Sequence, residues 1–94
     1  MQITWREDKN RTNRRKHKIS FEFAQLVFDD PLHLSRQDRH EAGEERWQTL
    51  GRVAGRVLLL VAHTYEDVEG DLHIHIISAR LANSHERAVY EQSI

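Results

Sequence analysis

Ninety-four residues with one Pro and four Gly suffice for one small domain, 1–94, so any site must be built on a single core or shared with a partner. The absence of Cys excludes a disulfide framework, thiolate zinc ligands and cysteine nucleophiles, and suits a reducing, cytoplasmic setting. The net charge of −1 conceals a basic first segment, because residues 1–18 carry seven Lys or Arg against Glu7 and Asp8 while the remainder is acidic. That asymmetry favours an anionic partner at the first segment, with a solvated helix face as the plain alternative. No secretory apolar segment is visible, and the longest apolar run, Val57 to Ala62, is far short of the about 20 residues a membrane span needs, so a soluble protein is expected.

In chain order, a short strand is expected at Gln2–Thr4. Thr4 and Glu7 have capping-box spacing, which predicts a helix from near Trp5 to about His17. This helix has almost no apolar stripe after Trp5, so something other than ordinary core burial must hold it. Arg11, Arg14, Arg15 and Lys18 recur on one face, for solvent or RNA; Lys9, Asn13, Lys16 and His17 share another, expected to look inward. Ser20 can cap a second helix whose Phe21, Ala24, Val27 and Phe28 form a buried face, ended by Asp29-Asp30-Pro31.

From Leu32 onward the pattern becomes β-like: Leu32–Gln37, Arg46–Arg52, Arg56–Tyr65 and Leu72–Ala79, separated by Gly43, by Gly51 to Gly55 and by an acidic turn at Glu66 to Asp71. Val57 to Ala62 is apolar at consecutive positions, which places it centrally with both faces covered. A last helix starts after Asn83, paired with Glu86 in capping-box spacing, and carries Arg87 and Tyr90 one turn apart. The expected fold class is α+β: two N-terminal helices, an antiparallel sheet of about four strands and a C-terminal helix. Cations, an imidazole and a phenol stand at places the core does not require, and they point to phosphate and to RNA.

Thr4-Trp5, Lys9, Asn13, Lys16-His17, Ser20-Phe21-Glu22, Val27-Phe28-Asp29-Asp30-Pro31, Glu45-Arg46, Gly51-Arg52, Ile76 to Ala82, Glu86-Arg87 and Tyr90, in this order and spacing, resemble the BrnT family of type II toxin–antitoxin toxins over almost the whole chain. The resemblance implies a RelE-like endoribonuclease that arrests translation. It also implies a cognate BrnA antitoxin, which neutralises the toxin in a hetero-oligomer and is the component that meets operator DNA. This chain departs from the family pattern in having Lys18 in place of Gly, and Glu66 and His75 in place of Arg. A carboxylate beside a scissile phosphate repels it, so a weakened toxin fold kept as an antitoxin-binding or corepressing subunit is the alternative.

Cleaving RNA without a metal or other cofactor requires a base for the 2′-hydroxyl proton, an acid for the leaving 5′-oxygen and cations for the phosphorane. Within that resemblance His17 and His75 are the acid–base candidates, Lys16, Arg80 and Arg87 the charge stabilisers, and Tyr90 a hydrogen-bond donor or stacking ring. Against these roles, Arg80 and Arg87 could simply brace acidic residues, and His17 could cap its helix. Arg11, Arg14, Arg15 and Lys18 are the RNA-binding candidates. His73 and His75 alternate onto one face of a strand but supply only two ligands, so no metal site is expected. Trp5 and Trp47 read as core or interface residues. Direct DNA binding by the basic helix is disfavoured because no apolar-striped partner completes a helix-turn-helix.

Overall fold

The chain runs β1 (Gln2–Trp5), α1 (Glu7–His17), α2 (Phe21–Ala24), a 3₁₀ turn (Gln25–Asp29), β2 (Leu34–Glu41), β3 (Glu44–Val53), β4 (Val57–Val68), β5 (Asp71–Leu81) and α3 (Ser84–Gln92). This computed structural model describes residues 1–94 apart from the side chain of Glu41. The fold is α+β, but the sheet has five strands in the order β1-β5-β4-β3-β2 and is mixed, not four-stranded and antiparallel. The difference lies in β1, which pairs in parallel with β5 from Gln2↔His73 to Trp5↔Ile76, while the other pairings are antiparallel. No helix is long and apolar enough to cross a membrane among the described residues.

β4 is the middle strand, and Leu58, Leu59, Leu60 and Val61 are all buried, as a continuous apolar run requires of a strand covered on both faces. Alternation divides them between two cores. Leu59 and Val61 pack with Phe21, Ala24 and Val27 beneath α2 and the 3₁₀ turn, and Leu58 and Leu60 pack with Leu50 and Tyr90 beneath α3. Gly51 lies inside β3 and does not open a turn: a Cβ there would stand 2.6 Å from Val27 Cβ, so its lack of a side chain lets the 3₁₀ turn rest on the sheet. The acidic hairpin is tighter than its sequence suggests, since β4 runs to Val68 and only Glu69 and Gly70, both at positive φ, make the turn.

α1 is held by amides. Asn10 and Asn13, one turn apart, are its buried residues, whereas Lys9 and Lys16, expected inward, are exposed. Asn13 Nδ2 donates to the carbonyls of Ile19 and Ala79, both at 2.9 Å, and its Oδ1 accepts the Ala79 N–H at 3.1 Å. It thus satisfies the edge of β5 beyond the point where β1 pairing ends. Asn10 Oδ1 accepts the Phe21 N–H at 2.8 Å and its amide donates to Glu22. The expected Thr4 cap is absent because Thr4 belongs to β1; Arg6 occupies the cap position without a side-chain bond. Lys18 ends α1 in the left-handed region at φ 62°, the position for which Gly is suited. Ser20 caps α2, and Asn83 with Glu86 forms a complete capping box on α3.

Candidate nucleic-acid interface

Asn13 draws Ala79 toward α1, and strand alternation then turns the next residue, Arg80, to the other sheet face, opposite Leu60 and toward α3. There Arg80 forms a bidentate pair with Glu86, Nη1 to Oε1 and Nη2 to Oε2, both at 2.8 Å. Glu86 is itself fixed, because Oε1 also accepts the Asn83 N–H of the capping box at 2.9 Å. The hydrogen bonds from Arg80 hold the Glu86 carboxyl below its usual range, against the opposing effect of burial and with help from the Asn83 N–H and the Arg36 charge. The same pairing raises the Arg80 pKa. Next to this pair, Arg36, Gln48, His85 and Glu86 border a groove of about 260 Å³ whose apolar lining includes Leu34, Leu50, Leu60 and Val89. Arg36 and His85 thus line a groove between β2, β3, β4 and α3, and the Arg80 guanidinium lies beside it, held by Glu86.

The far end of that face has different chemistry. His73 and His75 line one depression, as alternation along the strand dictates, but Glu44 and Glu66 line it too. His75 Nδ1 lies 3.1 Å from Thr4 Oγ1, and His73 Nε2 lies 3.2 Å from Asp71. Two carboxylates make this end unfavourable for a phosphodiester. Among the described residues no group of three or more His, Cys, Asp or Glu could hold a metal ion.

The remaining sequence-derived residues are dispersed. His17, Arg14 and Lys18 border a groove with Val57 and Leu81 on the α1 side of the sheet, away from Arg80. Arg11, Arg14 and Arg15 line a separate shallow depression, and Lys16 and Arg87 are exposed. Tyr90 is 1 % exposed, donates its hydroxyl to Asp30 Oδ2 at 2.6 Å and lies under the Arg52 guanidinium at 5.3 Å. Burial raises the Asp30 pKa, but bonds from Tyr90 and from the Arg52 and Leu32 N–H groups outweigh it and hold the carboxyl below its usual range. The first helix, Arg80 and the last helix thus do not converge on one basic cleft; the period-two alternation that buries Ala79 separates them. Trp5 and Trp47 pack edge-on against Phe21 and Tyr65 as expected. Arg36, Gln48 and His85 were missed. Their signal was faint: Arg36 and Gln48 pair across two strands, and His85 adjoins a carboxylate whose partner, Arg80, is six residues before it.

This geometry defines a small α+β domain with cationic side chains bordering a groove beside its last helix. The chain belongs to the family of ribonuclease toxins, BrnT, of type II toxin–antitoxin systems, matching it over residues 5–86. Its structure is similar to the crystal structure of the Brucella abortus ribonuclease toxin BrnT, with a TM-score of 0.62 and 28 % identity, covering 89 % of this chain and 99 % of that one. No curated protein matches the chain.

Proposed function

We propose that this chain is a RelE-like endoribonuclease toxin that arrests translation by cutting RNA on the face bearing Arg80, and that a BrnA-like antitoxin silences it by covering that face. The observation that carries this reading is the groove beside α3 lined by Arg36 and His85, with the fixed Arg80–Glu86 pair at its border. Arg36 meets the scissile phosphate in the groove, and Arg80, whose Nη1 and Nη2 are bonded to Glu86, stabilises the charge of the phosphorane from beside it. His85 takes the 2′-hydroxyl proton as the 2′-oxygen attacks phosphorus. The bond to the 5′-oxygen breaks, and that oxygen is protonated by the imidazolium, leaving a 2′,3′-cyclic phosphate and a 5′-hydroxyl. All the cations in this scheme are side chains, so chelation leaves the reaction intact. Purified protein incubated with RNA in EDTA should yield fragments with cyclic phosphate ends, and His85→Ala should slow their formation. An activity abolished by EDTA, or undiminished by His85→Ala, contradicts the scheme.

A second reading, a weakened toxin kept to bind its antitoxin, draws support from Glu44 and Glu66 beside His75 and from the burial of Tyr90. Expression without antitoxin separates the two: growth arrest with RNA degradation supports the enzyme, and unaffected growth with retained antitoxin binding supports the subunit.

A further inference from the structure

We propose that the outer surface of α1 is a second phosphate-binding site, separate from the active face, and that the substrate is consequently a long RNA held on both sides of the sheet. Arg11, Arg14 and Arg15 occupy the i, i+3 and i+4 positions of one helix face, are exposed, and line a shallow depression to which no other residue contributes. Arg6, one turn earlier, is paired with Asp8, whereas Arg11 and Arg15 have no ion pair with any described residue. The opposite side of α1 is anchored by Asn10 and Asn13, and of the three arginines only Arg14 acts on a side chain of that anchor, its charge adding to the Asn10 hydrogen bond that lowers the Glu22 pKa.

The depression contains no apolar or aromatic side chain, and a protein partner draws its affinity from such anchors. A phosphate backbone needs none, since sequence-independent binding comes from cations that displace counterions. RNA is therefore the occupant the site favours over an acidic protein.

The shortest dimension of the molecule is 23 Å between Cα extremes, and α1 and the Arg80 groove lie on different sides of the sheet. At about 3.4 Å per stacked nucleotide, a strand touching both sites spans about seven nucleotides or more. RNAs above that length gain from tethering at two sites and shorter ones do not.

This inference rests on the ribonuclease reading, and binding can be measured apart from cutting by using 2′-O-methyl RNA, which has no attacking hydroxyl. Fluorescence anisotropy with strands of about 30 and about six nucleotides, across a salt series, reads the affinity and its salt dependence. Replacing Arg11, Arg14 and Arg15 together by Gln should lower the slope of log affinity against log salt by about 2 for the long strand. At about 0.15 M salt that corresponds to about 50-fold weaker binding. The advantage of the long strand over the short one should shrink by tenfold or more, and the corresponding triple Lys variant should keep most of it, since point charges suffice.

An unchanged slope in the Gln variant, an unchanged length advantage, or a Lys variant as weak as the Gln one overturns the proposal. So does a Gln variant that binds RNA normally but loses the antitoxin, which would make the depression a protein contact. Cleavage of unmodified RNA is scored separately. Arginine-dependent binding without cutting sinks the ribonuclease reading alone, and cutting with arginine-independent binding sinks the second site alone.

Discussion

Lowering the pH from about 7 to about 4 should destabilise the fold by about 3 kcal/mol through one residue, His63. Its side chain is 0 % exposed on the helix-covered side of β4, in edge contact with Phe28 and Tyr65 at centroid distances of 5.0 and 4.8 Å. Nδ1 lies 3.2 Å from the Thr64 carbonyl, which only accepts, so Nδ1 carries the proton and Nε2 accepts from the Thr49 hydroxyl at 2.6 Å. That direction passes along the row: Ser35 donates to Thr49 at 2.7 Å and Tyr65 donates to Ser35 at 3.2 Å. Burial lowers the imidazole pKa from 6.5 to about 4, although the bond to Thr64 resists. Between those two values the unfolded chain takes up a proton that the folded protein refuses. The stabilisation is therefore complete above pH 6.5 and declines as pH falls toward about 4. At about 1.36 kcal/mol per pH unit, the gap amounts to about 3 kcal/mol. Asp30 and Glu86, with Glu22 and Asp71, have lowered pKa values and begin to lose their contributions as pH falls through the ordinary carboxylate values of 3.8 and 4.5, so the part of the window above about pH 5 reports on His63 alone. Urea unfolding at about one-unit pH steps across the window should show the decline in the wild type. His63→Gln should be less stable at neutral pH yet nearly flat above about pH 5, where only the wild type declines. Equal slopes in the two proteins would refute the reasoning.

Three further substitutions test the packing. Asn13→Ala leaves the Ala79 N–H and C=O without their partner and should cost about 2–4 kcal/mol in chemical denaturation; a loss under about 1 kcal/mol would mean water replaces the amide freely. Gly51→Ala drives a methyl group to within 2.6 Å of Val27 Cβ and should destabilise by about 1–3 kcal/mol, whereas an unchanged melt would show that the 3₁₀ turn is not seated against β3. Lys18→Gly relieves the left-handed conformation at the end of α1 and should stabilise by about 1 kcal/mol; a lower melting temperature would contradict the strain.

Elements governed by local chemistry were legible in the sequence. The apolar spacing of Phe21, Ala24, Val27 and Phe28 foretold a buried face, Ser20 and Asn83 foretold caps, and Val57 to Ala62 foretold a central strand. Features that depend on distant partners were not. Thr4 had the spacing of a cap but was taken by pairing with β5, a contact spanning 71 residues. Asn13 was assigned to the inward face without its role, because the groups it satisfies belong to a strand edge that exists only after β1 has paired. The candidate site was lost in the same way. Arg80 and α1 are close in the fold, but one step of strand alternation sends Arg80 to Glu86 and Arg36 instead of to Lys16 and His17. Tyr90 had the spacing of a site residue, yet its hydroxyl serves Asp30, a partner 60 residues away.

The decisive measurement is the rate at which a short RNA is cut in EDTA by the wild type and by Arg80→Ala, Lys16→Ala and His17→Ala, with melting temperatures recorded for each. Arg80→Ala should lose about 10²–10³ in rate, as when a fixed charge donor is removed from a phosphorane, and should remain folded because Glu86 keeps its bond to the Asn83 N–H. Lys16→Ala and His17→Ala, on the other side of the sheet or exposed to solvent, should cut the short RNA at close to the wild-type rate. An Arg80→Ala variant that cuts normally, or a loss carried by Lys16 and His17 instead, would contradict the placement of catalysis in the groove beside α3.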